Sequence, residues 1–119
     1  MLILVAHGSR DPRWRASVES LTGSLQSDLG SDKVRLAYMD CGPPTLDDVV
    51  SEAVRTGVVC MRVLPLFLTN EGHVDRDIRP AVDRLRRIHR SVRVELLPPV
   101  GQHRSFRELL ASIALETSE

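Results

Sequence analysis

Residues 2–30 read LILVAHGSRDPRWRASVESLTGSLQSDLG, and this stretch decides the fold. It opens on five apolar residues, Leu2, Ile3, Leu4, Val5 and Ala6, which stop abruptly at His7, Gly8 and Ser9. Beyond Pro12 the period changes, with Trp14, Val18, Leu21, Leu25 and Leu29 recurring at steps of four, three, four and four. That spacing lines one face of a helix, and Gly30 ends it. A short buried strand that runs into a helix of this length is the first half of a crossover between parallel strands.

The rest of the chain repeats the unit. Apolar runs at 34–39, 58–66 and 92–97 predict three more strands. Leu46, Val49, Val50, Ala53 and Val54 form a second helical stripe, opened by Pro43, Pro44 and Thr45 and closed by Gly57. Ile78, Ala81, Val82, Leu85 and Ile88 form a third, and Phe106, Leu109, Leu110 and Ile113 a fourth. The alternation predicts an α/β, three-layer αβα arrangement around a four-stranded parallel sheet, in a single domain over 1–119. Pro80 belongs in a first helical turn, because deeper inside it would clash with the carbonyl four residues back. Asp77 is therefore the expected N-cap of the third helix, and 69–76 the expected loop before it. Pro65 is expected to halt strand pairing near the end of the third strand.

The 119 residues carry 16 basic and 16 acidic side chains, so no net charge draws the chain to nucleic acid or to an anionic membrane. A hydrophobic share of 42% provides for a real core. The apolar run at 2–6 is too short for a signal sequence or a membrane span, and Cys41 and Cys60 make no CxxC pair. A cytoplasmic protein with reduced thiols is expected. Among the basic residues Lys33 is the sole lysine, and Arg is the side chain whose planar fork grips carboxylates. Codon bias explains such an excess equally well.

In an open parallel sheet, ligands bind at the carboxyl ends of the strands, where loops diverge and helix N-termini point. His7, Gly8, Ser9 and Arg10 follow the first strand, Asp40 and Cys41 the second, residues 70–73 the third and residues 101–104 the fourth. His7 and His73 are thus expected on one rim with the Asp40 carboxylate nearby. Two imidazoles and a carboxylate suit a divalent first-row metal and leave positions open. Taken singly, each has a plainer reading: a hydrogen-bonded histidine at a strand end, or an aspartate in a turn. Gly8 and Gly72 flank the two histidines and permit close approach of backbone to a flat ligand. Ser9 is placed to cap the first helix, and Arg10 or Arg13 to clamp an anion or to face solvent.

The segments LVAHGSRDP (residues 4–12), LPLFLTNEGHVDRDIRP (residues 64–80) and PPVGQH (residues 98–103) resemble the small CbiX-type sirohydrochlorin chelatases, relatives of the class II chelatases. The resemblance runs over essentially the whole chain and implies a chelatase-like (flavodoxin-like) half-domain that pairs as a homodimer. It further implies insertion of Co²⁺, or next Fe²⁺, into sirohydrochlorin in cobalamin or siroheme biosynthesis. His7 and His73 would serve as metal ligands and proton acceptors, the metal (Co²⁺, Fe²⁺ or Ni²⁺) being a substrate rather than a resident cofactor. Gly8, Ser9, Arg10, Gly72, Arg76 and Arg79 would meet the carboxylate-rich ring. Where the family usually has a metal-binding glutamate after the second strand, this chain has Asp40, one methylene shorter. Asp40 is the preferred third ligand, with Cys41 and Glu71 as alternatives. His103 either reaches the rim or caps the last helix, and His89 is expected to interact with a helix dipole.

Two other functions fit part of the pattern. A histidine phosphatase would need an arginine before the His-Gly pair, and Ala6 stands there. A metal or tetrapyrrole carrier without turnover needs the same ligands as a chelatase.

Overall fold

The computed structural model describes residues 1–69, 72 and 74–116. Strand β1 (Leu2–Ala6) leads to α1 (Pro12–Leu29), β2 (Val34–Tyr38), α2 (Leu46–Arg55) and β3 (Cys60–Pro65). A π-turn over Val74–Ile78 then feeds α3 (Arg79–Ile88), followed by β4 (Arg93–Leu96), a 3₁₀ turn (Val100–Gln102) and α4 (Arg104–Leu115). The strands form one parallel sheet in the order β2-β1-β3-β4. The chain thus steps one way from β1 to β2 and the other way from β2 to β3 and on to β4. Right-handed crossovers therefore place α1 on one face and α2 with α3 on the other.

The two faces are filled unequally. Ile3 and Val5 of β1, Ala37 of β2, Met61 and Val63 of β3 and Val94 of β4 pack with Leu46, Val49, Val50 and Ala53 of α2 and Val82 and Leu85 of α3 into the main core. Leu2, Leu4 and Ala6 point the other way, in register with Val34, Leu36 and Tyr38. Helix α1 covers that half. On the same face, Cys60 and Arg62 of β3 and Arg93 and Glu95 of β4 are exposed. No described residue on the expected layer buries them, because α4 packs on the 3₁₀ turn and not on the sheet. Its stripe forms as the periodicity predicts, yet no residue of α4 is buried, and Leu109, Leu110 and Ile113 are each more than half exposed. The same holds for Leu21 and Leu29 of α1.

The start of α3 differs from expectation. Asp77 does not cap a helix; it lies inside the π-turn that joins α3 without a break, and Ile78 at the junction is already helical. Pro80 sits in the first turn of α3 as expected. Its missing N–H and bulky ring conflict with regular α geometry toward residue 76, and a π-turn at that point opens the coil. At α1 the cap is Asp11, whose carboxylate accepts from the Arg13 N–H at 2.9 Å, while the Ser9 hydroxyl accepts from the Asp11 N–H. Thr45 and Asp48 form a reciprocal capping box at α2. Strand β3 ends at Pro65, one residue before a last hydrogen bond from the Leu66 N–H to the Val5 carbonyl. No helix of the described residues is long and apolar enough to cross a membrane.

Candidate functional site

Because all strands are parallel, the loops after β1, β2 and β3 leave the sheet at one edge. Between the first turns of α2 and α3, above Val5, that edge opens into a cleft of about 740 Å³. Its walls carry His7 from the first loop, Met39 and Asp40 from the second, Thr45 and Asp47 from the start of α2, and Arg76, Asp77 and Arg84 from the π-turn and α3. The volume is in the range of small-molecule sites. The lining mixes an imidazole, three carboxylates and two guanidinium groups over an apolar floor.

Backbone packing brings the first two loops together. Gly8 has φ of 100°, and a Cβ there would fall on the Asp40 carbonyl. Only glycine permits that approach, so the close contact expected of Gly8 is made to protein backbone. The Asp40 carboxylate accepts from the Cys41 N–H at 2.7 Å, and Cys41 holds a φ of 62°, unusual for a residue with a side chain. The loop that carries them is braced from α1. Arg15 donates from Nη2 to the Pro43 carbonyl at 3.1 Å and lies 4.7 Å from the centre of the Tyr38 ring. The Tyr38 hydroxyl donates to Glu19 at 3.1 Å. Burial pushes the phenol above its ordinary range, the Glu19 hydrogen bond adds to this, and Arg15 works against it.

His7 stands edge-on to Phe67, with ring centres 6.1 Å apart. Phe67 is in turn placed by the loop after β4: the Gly101 N–H donates to its carbonyl at 3.0 Å. A Cβ on Gly101 would collide with the Leu68 backbone. The glycine in PPVGQH therefore seats one loop on another.

Of the residues singled out in the sequence, His7, Asp40 and Arg76 line the cleft together. His73, the second candidate ligand, and Glu71 lie outside the described residues. Gly72 is in the left-handed region and its carbonyl accepts from the Arg76 N–H at 2.8 Å and from Arg76 Nε at 3.3 Å. Arg79 pairs with Asp75 at 3.1 Å and is not among the lining residues, nor are Arg10 and Ser9. His103 occupies the N-cap position of α4, and its Nε2 is 2.9 Å from the Pro98 carbonyl. Among the described residues no three histidine, cysteine or carboxylate side chains cluster tightly enough to hold an ion. Asp47 and Arg84 are cleft residues that the sequence reading missed. Pro80, Ala81 and Arg84 fall on one side of α3, and that spacing was the available signal.

The CbiX family model matches residues 1–117. The sirohydrochlorin cobaltochelatase of Methanopyrus kandleri is 34% identical over 77 residues, which is 65% of this chain and 54% of that protein. The chain thus spans about half the length of this relative and of the cobaltochelatases of Methanococcus maripaludis and Methanococcus aeolicus. Among solved structures, a CbiX protein of Marinobacter aquaeolei, described with cobalamin (vitamin B12) biosynthesis, superposes with a TM-score of 0.81 at 31% identity, covering 95% of this chain and 92% of that one. The sirohydrochlorin chelatase SirB of Bacillus subtilis subspecies spizizenii, solved with cobalt, gives 0.80 at 20% identity, covering 95% of this chain and 47% of that one. At that identity the likeness speaks for the fold.

Proposed function

Because this chain belongs to the CbiX family, we propose that it inserts a divalent metal ion, Co²⁺ first and Fe²⁺ next, into sirohydrochlorin. The observation that carries the proposal is the placement of His7 and Asp40 on one open cleft at the carboxyl edge of the sheet. Metallation takes two protons from the pyrrole nitrogens while the ion sheds water and passes to the ring. A residue that serves both steps must bind the ion weakly and accept a proton near neutrality, and imidazole does both. His7, with Asp40 on the same cleft, holds the ion over the ring and, once the ion has passed to the ring, takes up a released proton. His73 is assigned the matching role on the strength of the family resemblance. A small ligand set suits delivery, since a closed four-ligand site retains its metal.

The Phe67 ring fixes one side of the His7 imidazole, so the ligand is held by packing. Gly8, held against Asp40, keeps the two loops at a constant separation. Arg76, which lines the same cleft, is positioned to meet a ring carboxylate.

We further propose a cytoplasmic homodimer. What supports this is the stripe of exposed apolar side chains along α4, Leu109, Leu110, Ile113 and Leu115, a helix with no buried residue.

The test is to mix purified protein with sirohydrochlorin and Co²⁺, Fe²⁺ or Ni²⁺ and follow metallation by absorbance over several equivalents of ring. Turnover of many equivalents is expected; a limit of one marks a carrier. His7→Ala and His73→Ala are expected to lose most of the rate while melting as the parent does. A parental rate in either removes that residue from the chemistry.

A further inference from the structure

Arg84 and Asp47 face each other across the cleft, one from α3 and the other from the first turn of α2. A single guanidinium nitrogen, Nη2, donates to both carboxylate oxygens, at 2.7 and 2.9 Å. Among the described residues the Arg84 guanidinium makes no other hydrogen bond, so Nε and Nη1 keep their donors. Both side chains are 47% exposed. A pair so open to water adds little to stability, and one prong of a two-pronged group leaves its usual carboxylate geometry unused.

The setting distinguishes this pair from three other ion pairs among the described residues. Arg35 with Glu52, Arg79 with Asp75 and Arg86 with Asp83 involve no residue that lines the cleft. Arg84 and Asp47 both do, on the walls that also carry His7 and Asp40. Asp47 also lies at the N-terminal end of α2, where the helix favours negative charge, and an incoming carboxylate there gains the same field.

We propose that Arg84 is a docking residue for a carboxylate of a polyanionic ligand, and that Asp47 holds its guanidinium in place until the ligand carboxylate takes over. Exchange of one carboxylate for another is close to balanced in energy. It keeps Arg84 ordered without blocking the site. The inference rests on the tetrapyrrole reading above and adds to it the wall on which a ring carboxylate is received.

The experiment titrates metal-free sirohydrochlorin into the wild-type chain, Arg84→Gln and Asp47→Asn, read by absorbance, with melting temperatures in parallel. Arg84→Gln is expected to weaken ring affinity about tenfold, as loss of a charge-assisted pair does. Asp47→Asn is expected to tighten it about two- to threefold by releasing the guanidinium. Against the ring with its carboxylates esterified, Arg84→Gln and wild type should bind alike. If the pair is only a strut between α2 and α3, the two variants will weaken binding and lower the melting temperature together, and the proposal falls. Equal affinity of Arg84→Gln and wild type for the acid ring also overturns it. A wild-type chain that binds the ring and never metallates it sinks the chelatase reading alone. Failure to bind the ring at all sinks both.

Discussion

Replacing Gly8 by alanine adds one methyl group at the point where the first two loops of the site touch. The new Cβ lands on the Asp40 carbonyl, a backbone atom that cannot swing aside as a long side chain would. It also forces a residue with a side chain to hold a φ of 100°. The backbone term alone costs about 1–3 kcal/mol, and the overlap adds about 1–3 kcal/mol of the kind seen in overpacked interiors. Part of this is relieved if the loops move apart, so a total of about 3–4 kcal/mol is expected, a fall in Tm of roughly 10–20 °C for a domain of this size. The loop shift also separates His7 from Asp40, and a displacement near one ångström at such a centre lowers the rate by about a hundredfold. Thermal unfolding by circular dichroism and single-turnover metallation at a temperature where the variant is folded measure the two effects separately. A Gly8→Ala protein that melts within about 2 °C of the parent would show that these loops are not locked against each other, and the argued geometry of the site would fail with it.

Three further outcomes follow from the same packing. Arg15→Met removes the hydrogen bond to Pro43 and the cation over Tyr38; a loss of about 1–2 kcal/mol is expected in chemical denaturation, and an unchanged midpoint would mean that the brace is idle. The raised pKa of Tyr38 favours the neutral phenol in the folded state, so its contribution is intact below about pH 10 and is lost as pH climbs through the higher folded value. Tyr38→Phe should therefore lose less stability than the parent between neutral and strongly alkaline pH, and equal alkaline losses would contradict this. Ile113→Glu, on the exposed face of α4, should yield a monomer in sedimentation while the parent is a dimer, with the melting temperature of the isolated fold little altered; a dimer of unchanged affinity would place the interface elsewhere.

The strands and the first three helices were legible because their signals are local. The 14-18-21-25-29 stripe and Gly30 mark α1 to its last residue, and the apolar run at 58–66 marks β3, which spans Cys60–Pro65 within it. The stripe of α4 was equally legible as a helix, but its position was not, since periodicity shows that a face is apolar without showing what lies against it. Asp77 illustrates a different limit: a polar residue near a proline resembles a cap, and a π-turn leaves no mark in the pattern of residue types. At the site, His7, Asp40 and Arg76 could be inferred from topology, because each sits within or just past a strand-to-helix junction. Arg84 could not be tied to Asp47 in the same way, as the partners are 37 residues apart and belong to different crossovers.

The π-turn before Pro80 fixes the rotational phase of what precedes it. Each residue of a regular helix turns its side chain about 100°, so a wide turn offsets everything on its amino side relative to α3. Forcing Val74–Ile78 into plain α geometry with every residue retained would swing Arg76 and Asp77 around the axis, off the wall they now share with Arg84. A single surplus residue thus aligns two arginines that a perfect coil would turn apart.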